Sequence, residues 1–239
     1  MVPKSPIPRP ATPPVVQQRD PLERVIPLAF KLLLFLFTAV YGYQAATNFI
    51  EYQPGREWPF LLWLIRNNIF LYIHEGGHAL FMFFGKVLHA LGGSFWQVMF
   101  PVLSFLIALR KQSTVVAPFA LFWAGANMLD VSLYMRDAPV RILPLLGPRS
   151  GHDWFYLFNR FGIFDSAVLV ADITYYTGLL ICIGSTTAGV ALAVRKFLEP
   201  VSVPQPPSVT RKTSAQATLE RSLQSALSRK KDDDPFGGI

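Results

Sequence analysis

The chain has 239 residues, 51% of them hydrophobic and 15% charged, with 20 Phe, 5 Trp and a net charge of +7. This balance excludes an ordinary soluble domain and fits the membrane class. The basic residues are scattered, without a basic–aromatic stripe or a nucleic-acid motif, so no nucleic-acid partner is expected and the charge points to a lipid surface. The single cysteine, Cys182, excludes an internal disulfide.

Residues 1–22 are Pro-rich and lack an apolar core, which predicts a flexible tail rather than a signal peptide. A spanning helix needs about 20 mostly apolar residues. Five runs meet this: Val25–Ile50, Pro59–Phe84, Ala90–Leu109, Thr114–Met135 and Ala167–Val194. One long connection, Arg136–Asp165, is rich in Pro, Gly and Arg. Residues 199–239 are polar and expected to be mostly disordered, although Leu219, Leu223 and Leu227 recur at helical spacing. The expected fold is therefore all-α. A polytopic membrane helix bundle of about five spans, residues 23–198, lies between two tails, and the lipid bilayer is its first partner. With five spans the two tails would emerge on opposite sides. The distribution of Lys and Arg is nearly a tie, with a lean to a cytoplasmic N-terminus.

The second run contains "HEGGH", residues 74–78. Positions i and i+4 share one helix face, so His74 and His78 can address one metal ion. Glu75 stands one step round, where it can act on a water. This is the zinc-hydrolase pattern: two histidines, a third ligand from elsewhere, an open position for water, and a carboxylate as general base. An acidic residue at mid-membrane costs on the order of 2.5–3.5 kcal/mol on insertion scales. Gly76 and Gly77 each lose about 1 kcal/mol of helix propensity relative to Ala. A helix that only had to span would not need these residues.

"HEGGHALFMFFG" resembles the intramembrane H-E-x-G-H segment of the site-2 protease family of zinc metallopeptidases, through His74, Glu75, Gly77, His78 and, more loosely, Gly85. Leu91–Pro101, Trp123–Ala138 and "GHDW" at 151–154 are similar to a bacterial branch of such membrane peptidases. The resemblance implies a bound Zn2+, with Glu75 as catalytic base and peptide-bond hydrolysis in a membrane-anchored protein substrate. It implies residence in a bacterial cytoplasmic (inner) membrane. The family's third ligand is an Asp in a Leu-Asp-Gly motif; here Leu129-Asp130-Val131 stands in its place without the glycine.

His152 is the first choice for the third ligand, because imidazole suits zinc and Asp153 beside it can accept a hydrogen bond. Asp130 is second, and Asp153, Asp137 and Asp172 are further candidates. Asn127 and Gln97 are read either as substrate contacts or as interhelical hydrogen bonds, and His89 as an interfacial residue. Three functions remain open: an intramembrane zinc metalloprotease, a membrane-embedded zinc hydrolase of a lipid or small amide, and a non-catalytic, metal-stabilised protein that binds other spans. Glu75 separates the last from the first two, since a purely structural metal does not need a carboxylate placed to work on water.

Overall fold

A long apolar run in lipid has no water to satisfy its backbone, and a helix satisfies each amide locally. The computed structural model describes residues 21–50, 53–144, 146, 151–199 and 214–232, and among these the chain forms eight α-helices and no strand. They are α1 (Pro21–Phe49), α2 (Phe60–Ile65), α3 (Leu71–Phe81), α4 (Lys86–Arg110), α5 (Val116–Asp137), α6 (Asp153–Arg160), α7 (Ala167–Leu198) and α8 (Ser214–Asp232). The protein is thus an all-α bundle.

Four helices are long and apolar enough to cross a membrane: Leu22–Phe49, Lys86–Arg110, Val116–Asp137 and Phe164–Leu198. Side chains such as Phe30, Leu33, Leu106, Ile107, Leu180 and Ile183 are exposed on them, as lipid would allow and water would not. α5 is the central helix, with 72% of its apolar window buried against 17–33% in the other three. Small residues let it approach α7 closely. A Cβ on Gly125 would lie 2.7 Å from the Gly178 carbonyl oxygen, and one on Gly178 would lie 2.8 Å from that of Gly125.

The side-chain pairings fix how the helices run. Cys182 Sγ meets the Phe122 carbonyl, Thr174 bonds Met135, and Arg136 pairs with Asp172, so α5 and α7 are antiparallel. Arg24 donates to the Phe197 carbonyl, Thr38 bonds Thr186, and the Tyr175 hydroxyl donates to the Ala46 carbonyl, so α1 and α7 are antiparallel too. The chain therefore enters α1 and leaves α7 at one end of the bundle, here the far end. The end of α1, the start of α4, the end of α5 and the start of α7 meet at the other end.

The expected second span departs from this frame. Phe60–Phe84 is a helical run, but Arg66–Phe70 forms a π turn inside it and Met82–Phe84 a 3-10 turn. The cause is local. Asn67 and Asn68 donate their side-chain amides to the Trp63 and Leu64 carbonyls, competing with the regular ladder. Both flanks of the run lie at the same end of the bundle: Trp58 contacts Phe49 at the end of α1, and Lys86 lies over the Tyr156 ring of α6. The four full-length helices thus bring both chain ends of the bundle to one side, not to opposite sides as five spans would.

The expectations for residues 1–20, 200–213 and 233–239 lie outside the described residues. Within the C-terminal stretch expected to be mostly disordered, α8 is a 19-residue helix, with Leu219 and Leu223 exposed.

The α5–α7 crossing makes a direct prediction. Gly125→Ala should lower the thermal unfolding midpoint in detergent, at a cost of about 1–3 kcal/mol for overpacking. Gly184→Ala on α7, whose Cβ would meet nothing within 4 Å, should hold or raise the midpoint.

Candidate metal centre

His74 and His78 lie on α3, which crosses α4 at very short range. A Cβ on Gly77 would lie 2.3 Å from the Gly92 carbonyl oxygen, and one on Gly93 would lie 2.6 Å from the Nε2 atoms of both His74 and His78. Gly93 of α4 therefore reserves the space in front of both imidazoles, while Gly92 makes room for Phe81. No larger residue fits there without displacing them.

The tautomers follow from the partners. Gln97 donates its Nε2 to Asp130 Oδ2 at 2.8 Å, which turns its Oε1 toward His74; His74 Nδ1 then donates to Oε1 at 3.0 Å. Asp130 is held in turn by Arg66, whose Nε donates to Oδ1 at 2.6 Å. His78 Nδ1 donates to the His89 backbone carbonyl at 2.8 Å. A carbonyl oxygen only accepts, so in both rings Nδ1 carries a proton and Nε2 is the nitrogen turned toward the pocket as a potential ligand.

The two Nε2 atoms lie 3.0 Å apart. Asp153 Oδ2 completes the group, 3.5 Å from His74 Nε2 and 3.2 Å from His78 Nε2. For tetrahedral zinc with bonds of about 2.0–2.1 Å, ligand atoms lie about 3.3–3.4 Å from one another. The three atoms thus have the separations of three ligands around one ion, and His74, His78 and Asp153 could hold a metal. Lone pairs converging this closely repel one another unless a cation lies between them. Burial raises the Asp153 carboxyl, but hydrogen bonds and charge from His74 and His78 outweigh it and bring the pKa down to about 2. The carboxylate is therefore ionised, as a ligand must be.

Asp153, not His152, stands beside the two helix histidines. His152 is fully buried one residue earlier and occupies the N-cap of α6. Its Nδ1 accepts from the Phe155 amide at 3.3 Å, and its Nε2 then donates to Asp137 Oδ2 at 3.2 Å. Both ring nitrogens are used. The physical reason is the cap: the first turn of α6 needs an acceptor, and a side chain that folds back to supply it turns away from the pocket. The next residue, Asp153, projects into the pocket.

The other candidates are also committed. Asp137 accepts from the amides of Ile142 and Leu143, and Asp172 pairs with Arg136. Asp130 serves Gln97 and Arg66. Asn127 donates to the Trp123 carbonyl at 2.7 Å within its own helix.

Three contributors are hard to find in the sequence. Tyr134 donates its hydroxyl to Asp153 Oδ2 at 3.2 Å, accepts from the Asp153 amide, and stacks on His152 at 4.3 Å. His89 returns a hydrogen bond to the His78 carbonyl at 3.1 Å, so the two residues brace each other. Trp154 donates to Ser94 Oγ at 3.0 Å and pins α6 to α4. Only the YMRDA segment, by its place in the resemblance, carried any hint of Tyr134.

The cluster opens on a cavity of about 420 Å³, whose wall includes Glu75, His89, Tyr134 and Arg66. Glu75 is exposed to it. A second cavity, of about 710 Å³, shares Arg66, Asn67 and Pro144 with the first and adds Trp58, Phe60 and Trp63. Arg66 therefore stands between the two cavities. Its guanidinium is fixed by Asp130 and lies 4.8 Å over the Trp58 ring.

Comparison with family models, with curated proteins and with solved structures finds no match for this chain. The bundle and its candidate His/Asp metal centre are therefore what define its class.

Metal content of the purified protein checks the ligand set. Asp153→Ala should empty the site as His74→Ala does. Gln97→Leu, which keeps all three ligands but frees the His74 ring, should weaken metal binding by about 10–100-fold. A variant that keeps full affinity without Gln97 would remove it from the support of the site.

Proposed function

We propose that the protein is an intramembrane zinc metalloprotease that hydrolyses a peptide bond of a membrane-anchored substrate near one membrane face. The observation that carries the reading is the convergence of His74 Nε2, His78 Nε2 and Asp153 Oδ2 in a pocket that Glu75 also lines. Two neutral imidazoles and one carboxylate, with separations near tetrahedral, favour zinc over the harder ions that prefer all-oxygen sites. The resemblance of "HEGGH" to the site-2 protease segment supports the same choice.

When bound, zinc would acidify a water to a pKa of about 7 and polarise the scissile carbonyl. The remaining chemistry belongs to the chain. Glu75 takes the proton of the attacking water and delivers it to the leaving amine. The Arg66 guanidinium is a donor on the pocket wall, placed to hold a substrate carbonyl. The paired cavities give an extended segment room on either side of Arg66, with Trp58 and Trp63 to receive apolar side chains. Gly76 leaves one surface of α3 without a side chain, and a Cβ there would meet nothing within 4 Å. An unwound substrate can approach there.

Glu75→Gln tests the reading. The variant keeps nearly the same volume and all three ligands, and removes only the base. It should fold, hold its metal, and lose hydrolysis of membrane substrates by at least about 10²-fold. The readout is accumulation of uncut membrane proteins in cells carrying the variant in place of wild type. Equal processing by both would leave a metal-stabilised protein without catalysis.

A further inference from the structure

We infer that the candidate metal centre faces the non-cytoplasmic side of the membrane and acts on groups presented from that side, while the bundle's two chain ends meet the cytoplasm. The sidedness rests on the four long helices being spans. What the site acts on rests on the proposed hydrolase reading.

The first part of the argument is the fold. Arg24 bonds the carbonyls of Phe197 and Glu199, so the entry to α1 and the exit from α7 lie together. The α4–α5 turn, Lys111–Val115, lies at that same far end. His74, His78 and Asp153 lie at the other end: α6 carries Asp153, and α6 sits between the end of α5 and the start of α7. Trp154 bonds Ser94 and Lys86 covers Tyr156, both near the start of α4. The helical run Phe60–Phe84 starts and finishes at this end, so it does not carry the site to the opposite face. The centre and the chain ends therefore sit on opposite sides of any membrane that α1, α4, α5 and α7 cross.

The second part is charge. Lys and Arg flanking spans are retained in the cytoplasm, within about 15–20 residues of the span ends. The far end carries Arg24, Arg110, Lys111, Arg195 and Lys196, and Lys4, Arg9, Arg19, Arg211 and Lys212 lie within about 20 residues in sequence of its two chain ends. The site end carries Arg56, Arg66, Lys86, Arg136, Arg141 and Arg160. Of these, Arg66 and Arg136 are neutralised by Asp130 and Asp172. Acidic residues run the other way. Glu57, Glu75, Asp130, Asp137, Asp153, Asp165 and Asp172 belong to the site end, and Glu23 and Glu199 to the far end. The far end is thus strongly basic and the site end slightly acidic. The anionic lipids of a cytoplasmic leaflet favour the basic end.

A span count of five hides this, because it divides the basic residues almost evenly between the two faces. Returning Phe60–Phe84 to one end moves Arg56 and Arg66 to the side of Lys86, and leaves the entry to α1 and the exit from α7 together at the other end.

Cysteine labelling tests the orientation directly, because the one native cysteine, Cys182, is buried. Val140→Cys and Phe161→Cys place exposed thiols at the site end, and Gln112→Cys and Leu198→Cys at the far end. Each full-length variant is produced in bacterial cells, and spheroplasts are treated with a membrane-impermeant maleimide before and after lysis. Val140→Cys and Phe161→Cys should react in intact spheroplasts, and Gln112→Cys and Leu198→Cys only after lysis. The reverse pattern overturns the inference, and so does reaction of both ends, or of neither, before lysis. Two sites at each end keep the result readable if one variant fails to fold. Labelling does not depend on metal or catalysis, so it can fail while the proposed hydrolysis stands, and the converse.

Discussion

Three atoms with lone pairs, two imidazole nitrogens and a carboxylate oxygen, converge within 3.5 Å of one another at one end of an apolar bundle. Bringing them together in a medium of low dielectric is unfavourable unless a cation sits among them. Much of the rest of the site serves to keep them there. Gln97 and the His89 carbonyl hold the protons on the far side of each ring. Tyr134 holds the carboxylate from two directions. Gly93 clears the space that the rings occupy.

The support reaches beyond the ligands. His74 is tied through Gln97 and Asp130 to Arg66, which opens the π turn in the run Phe60–Phe84. The irregular turn and the helix that carries both histidines are thus parts of one arrangement. The π turn sets the direction of α3, α3 presents both histidines, and the residue at the turn's first position anchors the far end of the hydrogen-bond chain. The α5–α7 crossing at Gly125 and Gly178 holds the base on which α6 stands, because α6 is strung between the ends of those two helices. Proximity of α5 and α7 therefore matters to Asp153 without either helix supplying a ligand.

The sequence made the local half of this legible. His74 and His78 are four residues apart, and helical geometry alone puts them on one face. The apolar lengths of α1, α4, α5 and α7 were equally readable. The third member of the cluster was not, because "GHDW" offers two adjacent donors and the choice depends on which one caps a helix. The start of α6 at Asp153 decides it, and a short helix after a Gly-rich loop carries little signal of its own. The fate of Pro59–Phe84 was hidden for a different reason. Hydropathy measures how apolar a run is, not whether it crosses, and the paired Asn67 and Asn68 were the one mark of an interruption. His89 and Tyr134 act through a backbone carbonyl and a hydroxyl. Neither forms a motif with the residue it supports.

X-ray absorption at the metal edge of the zinc-loaded, detergent-purified protein tests the central claim most directly. The account predicts two imidazole nitrogens and otherwise only oxygen donors, at about 2.0–2.1 Å. A third imidazole in the shell would mean that His152 or His89 leaves its hydrogen bonds to bind the metal. That result, or the absence of any imidazole, would contradict a centre built on His74, His78 and Asp153.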